Sequence, residues 1–171
     1  MIYLAGPFFN KVQRDAAWKL IALCKLAHVE YFAPIEQDSI RINSPEKAAK
    51  VFANNIEAMM NSSIMLAQLD WLMLNGEELR VVKEMNIGLE RPAYRELSPI
   101  LNLPDTGTVF EMGYAHGLNM EIIGYTITEQ SRINLMLAQA CSGFLKGWAA
   151  IETWLEKDTS VLDLQWRGKI Q

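Results

Sequence analysis

Two carboxylates stand six residues apart in the segment Asp105-Thr106-Gly107-Thr108-Val109-Phe110-Glu111-Met112-Gly113-Tyr114-Ala115. Paired carboxylates can divide the work of breaking a bond, one acting as nucleophile or base while the other moves a proton. A helix read from about Thr108 to Leu118, with Thr108 as N-cap, puts Glu111 at the third helical position. There it would lie beside free backbone N–H groups and the positive end of the helix dipole, an environment that keeps a carboxylate ionised. Such a carboxylate can attack an electrophilic carbon directly, as retaining glycosidases do at an anomeric centre. Asp105, on the loop before the helix, can then handle a proton. Thr108-Val109-Phe110-Glu111 matches a capping box at least as well, in which the glutamate only bonds the N-cap amide. Gly107 and Gly113 read as readily as a turn and a close helix-to-strand contact as they do as points of ligand approach. The residues alone stop at a candidate carboxylate site.

The elements that would position this segment follow from the apolar pattern. Ile2-Tyr3-Leu4-Ala5 is a β-prone run stopped by Gly6-Pro7 and reads as the first strand. From about Lys11 to Leu26, Val12, Ala16, Leu20, Leu23 and Ala27 recur at helical spacing. Val29 to Ala33 reads as a second strand, closed by Pro34 because proline cannot donate into a central ladder. Ser44 as N-cap and Pro45 at the first helical position open a helix that runs to about Met60. Ile64 to Leu69 is a continuous apolar run, as expected of a central parallel strand covered on both faces, and it delivers the carboxylate of Asp70 to the strand end. Glu121 to Tyr125 is a fourth strand. This alternation predicts an α/β fold built on a doubly wound parallel sheet. The segment from Leu72 to Pro104 carries mixed charge with room for one short helix near Glu77 to Met85. It falls where an open α/β sheet places its binding loops, so it reads either as a lid or as a surface excursion. After Ser131, the spacing of Ile133, Leu137, Ala140, Phe144, Trp148 and Ile151 predicts one or two helices up to about Lys157. A tail from Asp158 to Gln171 holds enough apolar residues to dock on the body.

Composition narrows the classes. At 171 residues the chain is expected to form one domain spanning 1–171. With 50% hydrophobic residues and a mean hydropathy of +0.03, it has the apolar material for a core and is not a disordered chain. A net charge of −4 and a pI near 5.2 give no general attraction for nucleic acid or an anionic membrane, and neither is expected as a partner. Two cysteines, Cys24 and Cys141, make no disulfide framework, and with His28 and His116 as the two histidines no zinc spacing appears. No metal or cofactor is expected. Neither a signal peptide nor a run of about 20 apolar residues is visible, so the expected location is the cytoplasm.

Four segments stand in the same order as in the nucleoside 2-deoxyribosyltransferases: Ile2-Tyr3-Leu4-Ala5-Gly6-Pro7-Phe8-Phe9, the stretch from Asn54-Asn55 to Asp70, Asp105 to Ala115, and Ile133-Asn134-Leu135-Met136. The chain resembles that family over about residues 1 to 140, apart from 72 to 104. The resemblance implies a flavodoxin-like fold and cleavage of the N-glycosidic bond of a 2′-deoxynucleoside through a covalent deoxyribosyl-enzyme intermediate. Glu111 matches the family's nucleophile, Asp105 the aspartate that contacts the base and helps protonate it as it leaves, and Tyr3 the tyrosine whose hydroxyl positions the nucleophile. Gly6, Phe8, Asn55, Asp70, Gly107, Asn134 and Met136 fall at positions the resemblance brings to the substrate. Asn134 matches an asparagine that reaches into a neighbouring subunit's site to hold the sugar hydroxyls, which implies a homo-oligomer with shared sites. The implied partners are a deoxynucleoside and a free nucleobase.

The departures bear on specificity. Asn55 stands where some members carry a base-contacting aspartate, and asparagine brings a donor as well as an acceptor. The segment 72 to 104 is longer than usual, and its four basic residues, Arg80, Lys83, Arg91 and Arg95, suit a phosphate. A 2′-deoxynucleoside 5′-monophosphate N-glycosidase of a related branch is the alternative enzyme. The apolar Phe8-Phe9 in the opening loop favours an uncharged nucleoside instead. A non-catalytic nucleotide-binding module is the alternative from another class, since a flavodoxin-like sheet by itself proves no function.

Overall fold

The computed structural model describes residues 1–37, 44–69, 105–127, 132–157, 164–165 and 169–170. Asp70, the segment 72–104 with its expected short helix, and Trp166 in the tail lie outside the described residues.

Strand β1 (Ile2–Ala5) leads into helix α1 (Lys11–Leu26), strand β2 (Tyr31–Phe32), a 3₁₀ turn (Pro34–Glu36), helix α2 (Pro45–Met60) and strand β3 (Ile64–Gln68). Among the described residues, helix α3 (Thr106–Gly117), strands β4 (Glu121–Thr126) and β5 (Arg132–Ile133), helix α4 (Leu135–Ala140), strand β6 (Gly143–Lys146), helix α5 (Gly147–Leu155) and strand β7 (Lys169–Ile170) follow in that order. Five strands form one all-parallel sheet in the order β2-β1-β3-β4-β6, while β5 and β7 pair separately. This is the doubly wound parallel sheet that the alternation of elements predicts, in the flavodoxin-like form that the resemblance implies.

Alternation along the central strands sorts the core into two layers. Tyr3, Ala5, Met65, Ala67 and Ile122 pack with Ala58 of α2, Met112 of α3 and Leu137 of α4. On the other face Leu4, Leu66, Ile123 and Tyr125 pack with Leu20 of α1 and Ile151 of α5. Among the described residues, no helix is long and apolar enough to cross a membrane.

The helix starts follow local chemistry. Ser44 caps α2 by accepting from Lys47 N, with Pro45 in the first turn. Asn10 and Gln13 form a reciprocal capping box at α1. The second strand is shorter than expected, Tyr31–Phe32, because the chain turns into the 3₁₀ segment at Pro34. The larger correction is at the C-terminal end. Two helices are present, but between them Gly143–Lys146 joins β4 as the fifth strand of the sheet. Phe144 and Trp148 fall at helical spacing by coincidence, and a four-residue edge strand carries too little alternation to outweigh that pattern. Leu164, in the tail segment, accepts from Phe144 N at 2.9 Å.

Gly124 in β4 is set by space. A Cβ there would lie 2.5 Å from Leu69 Cδ1, 3.1 Å from Phe144 Cδ1 and 3.2 Å from Cys141 Sγ. Overpacking of this kind typically destabilises by about 1–3 kcal/mol. Gly124→Ala is therefore expected to lower the Tm by roughly 3–10 °C in thermal unfolding; an unchanged Tm would show that the three neighbours move aside freely.

Candidate active site

In this fold the chain leaves β1 toward β2 on one side and later inserts β3 on the other, so the carboxyl ends of β1 and β3 form a crevice. Tyr3 stands on β1, fully buried and stacked on Phe32 at a centroid distance of 5.5 Å. Its hydroxyl donates to Glu111 Oε1 at 2.7 Å, joining residues 108 positions apart.

Glu111 is not where the sequence reading puts it. Helix α3 begins at Thr106 with Asp105 as N-cap, so Thr108 lies inside the first turn and Glu111 is the sixth helical residue. Asp105 Oδ2 accepts from Thr108 N at 3.0 Å and from Thr108 Oγ1 at 3.4 Å. Aspartate and threonine both cap, and here the aspartate does. The expected capping box is absent, and Glu111 turns instead to Tyr3. It is also beyond the free amides of the helix start, which corrects the expectation of a carboxylate held ionised there. Burial, opposed by the Tyr3 hydrogen bond and reinforced by the charge of Asp105, pushes the Glu111 carboxyl up to about 7. Burial likewise raises the Tyr3 phenol, with the neighbouring Glu111 charge adding to it, so Tyr3 remains a neutral donor.

The remaining expected positions divide. Gly6 sits at the end of β1 with its α-carbon backed against Gln68, whose Cβ and Oε1 would each be 3.1 Å from an added Cβ. Phe8 packs with the α1-side core, on the opposite face of the sheet from Tyr3. Asn55 lies on α2, a neighbour of α3 through the tilted Phe52–Phe110 ring pair at 6.0 Å. Its Oδ1 is buried without a hydrogen-bond partner among the described residues. Gly107 stands in the first turn of α3 directly beside Asp105. Asn134 is exposed and caps α4, accepting from Met136 N at 2.8 Å, and Met136 is 75% exposed. Both point away from their own chain's core.

Gln13 is a residue that the sequence reading passes over. Its Oε1 accepts from Phe9 N at 2.9 Å and Asn10 N at 3.2 Å, while Arg14 donates to Phe9 O at 2.9 Å. The signal was present as Asn10-x-x-Gln13, a capping-box spacing ahead of an apolar run. With those two amides occupied, the β1–α1 loop does not offer them to a phosphate. Among the described residues, no group of three or more His, Cys, Asp or Glu side chains could hold a metal ion. Burial pushes the free thiols of Cys24 and Cys141 up to about 11 and about 12, which leaves them unreactive.

Residues 2–74 match the profile of the nucleoside 2-deoxyribosyltransferase family. The N-terminal part of the chain, residues 2–74, is similar to that family. The family match covers Tyr3, Gly6, Phe8, Asn55 and Asp70 and ends before α3. A 2-deoxyribosyltransferase from the psychrotolerant bacterium Bacillus psychrosaccharolyticus is 22% identical, with a TM-score of 0.64 over 88% of this chain and 89% of that one, and shares the fold. The chain is also similar to a 2-desoxiribosyltransferase from Leishmania mexicana, at 22% identity, TM-score 0.49, 75% of this chain and 65% of that one. A Clostridium botulinum CMP N-glycosidase is 15% identical, with TM-score 0.47 over 93% of this chain and 98% of that one. At those scores neither bears on the chemistry. No curated protein matches the chain in sequence.

Proposed function

We propose that the protein transfers the 2-deoxyribosyl group of a 2′-deoxynucleoside from one nucleobase to another. The observation that carries this reading is the 2.7 Å bond from the buried Tyr3 hydroxyl to Glu111, a carboxylate released from helix capping at the crevice of a parallel sheet. Glu111 attacks C1′, forming a C1′–O bond as the N-glycosidic bond breaks and its electron pair leaves with the base. Asp105, carrying a proton in the substrate complex, or a water passes that proton to the departing base and leaves it neutral. Asp105 Oδ2 is held by Thr108, so Oδ1 is the oxygen that serves the base. A second base then attacks C1′ from the same face, returning the proton and freeing the Glu111 carboxylate. Retention and ping-pong kinetics follow. A 2′-hydroxyl would withdraw electron density from the developing oxocarbenium, which favours deoxyribose over ribose.

The occupied amides of Phe9 and Asn10 support an uncharged nucleoside over a 5′-monophosphate. Exposed Phe52 and Phe110, with exposed Leu135 and Met136 on α4, support a homo-oligomer in which Asn134 serves a neighbouring subunit's site. Asn55, whose buried oxygen has no hydrogen-bond partner among the described residues, is assigned to base recognition.

Chromatography of the protein with each deoxynucleoside and a different free base, beside Glu111→Ala and a control lacking acceptor, tests the reading. A new deoxynucleoside that disappears in the variant is the expected result. Free base alone, above all from 5′-monophosphates, would make the protein a hydrolase. Binding without base release would make it a non-catalytic module.

A further inference from the structure

Gly107 is the second residue of α3, and its backbone does not call for glycine. Gly147 is the one glycine among the described residues with φ in the left-handed region. Glycine disfavours a helix relative to alanine, so the reason for it has to lie in the surrounding space. A Cβ at position 107 would lie 2.8 Å from Asp105 Oδ2 and 3.9 Å from its Cγ. The first distance is well inside van der Waals contact. It falls on the same oxygen that holds Thr108 N at 3.0 Å and Thr108 Oγ1 at 3.4 Å. Asp105 itself is only 8% exposed, which restricts where the carboxylate can go.

We propose that Gly107 is a positioning residue: the volume its absent side chain leaves open is the volume in which the Asp105 carboxylate sits, locked to Thr108. Any β-carbon at 107 drives that carboxylate off the helix start and away from the leaving base. The clash is with the end of a side chain rather than with backbone, so the fold accommodates the change while the proton donor loses its place. This assigns Gly107 a role through Asp105 rather than a contact with substrate, and it rests on the function proposed above for Asp105.

Gly107→Ala in the full chain tests it with two readouts. The first needs no substrate. In amide hydrogen exchange and NMR, the Thr108 N–H of Gly107→Ala should lose protection and shift toward its position in Asp105→Ala, where the acceptor is gone. The second readout is leaving-group dependence. A displaced proton donor matters most for bases that must be protonated to leave. Turnover of 2′-deoxyuridine or 2′-deoxyguanosine, whichever is accepted, should fall by about 10–100-fold with KM nearly constant. The matched 5-fluoro-2′-deoxyuridine or 7-methyl-2′-deoxyguanosine, whose base leaves with less help, should lose less than about threefold.

Equal loss on both members of a pair would mean that α3 and Glu111 are disturbed as a whole, which overturns the proposal. So would a shifted Thr108 amide with unchanged turnover, or lost turnover with an unchanged amide. A wild-type protein that turns over none of these compounds overturns the proposed function and the catalytic half of this inference. The Thr108 amide would then still decide whether Gly107 is what makes room for the carboxylate.

Discussion

Glu111→Gln is expected to reduce base exchange by about 10⁴-fold or more and, at pH 8, to raise the Tm. The first effect follows from the proposed chemistry, because an amide oxygen cannot form and release the glycosyl ester. The second follows from burial. The Glu111 carboxyl is pushed up to about 7, above its ordinary value, so the folded state holds a proton there that the unfolded chain has already released. Stability therefore falls as pH rises from about 4.5 to about 7, and the full penalty is present at pH 8. With Glu111 partly open to solvent, that penalty is roughly 1–3 kcal/mol. Glutamine keeps the volume and an acceptor for the Tyr3 hydroxyl while removing the charge. Base exchange at pH 8 and thermal unfolding at pH 5 and pH 8 check both parts. The Tm difference from wild type should be large at pH 8 and should shrink as pH falls toward 5. Exchange within tenfold of wild type would remove Glu111 as nucleophile, and a Tm equal to wild type at both pH values would remove the strained carboxyl.

Which parts of this site were legible in the sequence depends on how far the deciding contact reaches. Helix α1 runs over Lys11–Leu26 and α2 over Pro45–Met60, both as read, because Ser44-Pro45 and the apolar period are local signals. The sheet followed from the same alternation. The N-cap of α3 lies three residues before the one the sequence suggests although its cues are also local, since Asp105 and Thr108 are both capping residues and lie three apart. Asp105 makes the cap, and Gly107 beside it leaves room for its carboxylate. Strand β6 was missed because its pairing with Ile123–Thr126 is a long-range fact that Gly143–Lys146 does not announce.

The candidate nucleophile shows the limit most clearly. Within its own segment Glu111 reads at least as well as a capping glutamate, and only the hydroxyl of Tyr3, brought from the other end of the sequence by the sheet, removes that reading. The resemblance had linked the two residues by matching motifs; the geometry links them by a hydrogen bond. Asn134 is different. Within one chain it is a helix cap on an exposed turn, as a reading of the single residue would have it, and any further role belongs to an assembly.

Tyr3→Phe is expected to move the pH dependence of the enzyme rather than simply weaken it. In the proposed reaction the Glu111 carboxylate is the reactive form, so the acid limb of kcat/KM in wild type should rise with pH through about 7. Tyr3 opposes the burial of Glu111 by donating at 2.7 Å to the ionised form, so removing the hydroxyl disfavours that form further. A hydrogen bond to a charged group is worth about 1.5–3 kcal/mol, which places the acid limb of the variant about one pH unit or more higher. The loss in kcat/KM should then be about tenfold or more at pH 6.5 and should narrow toward pH 9 as the carboxylate is restored. Phenylalanine retains the ring that stacks on Phe32, so the core should hold and the effect should not be one of packing. A loss of the same size at every pH would mean that the hydroxyl aims the carboxylate without setting its ionisation. An unmoved limb with full activity would mean that the carboxylate rising near pH 7 is not the group that attacks. The two residues therefore test each other: Glu111→Gln asks whether the carboxylate does the chemistry, and Tyr3→Phe asks whether this sheet makes that carboxylate available at the pH where the chemistry runs.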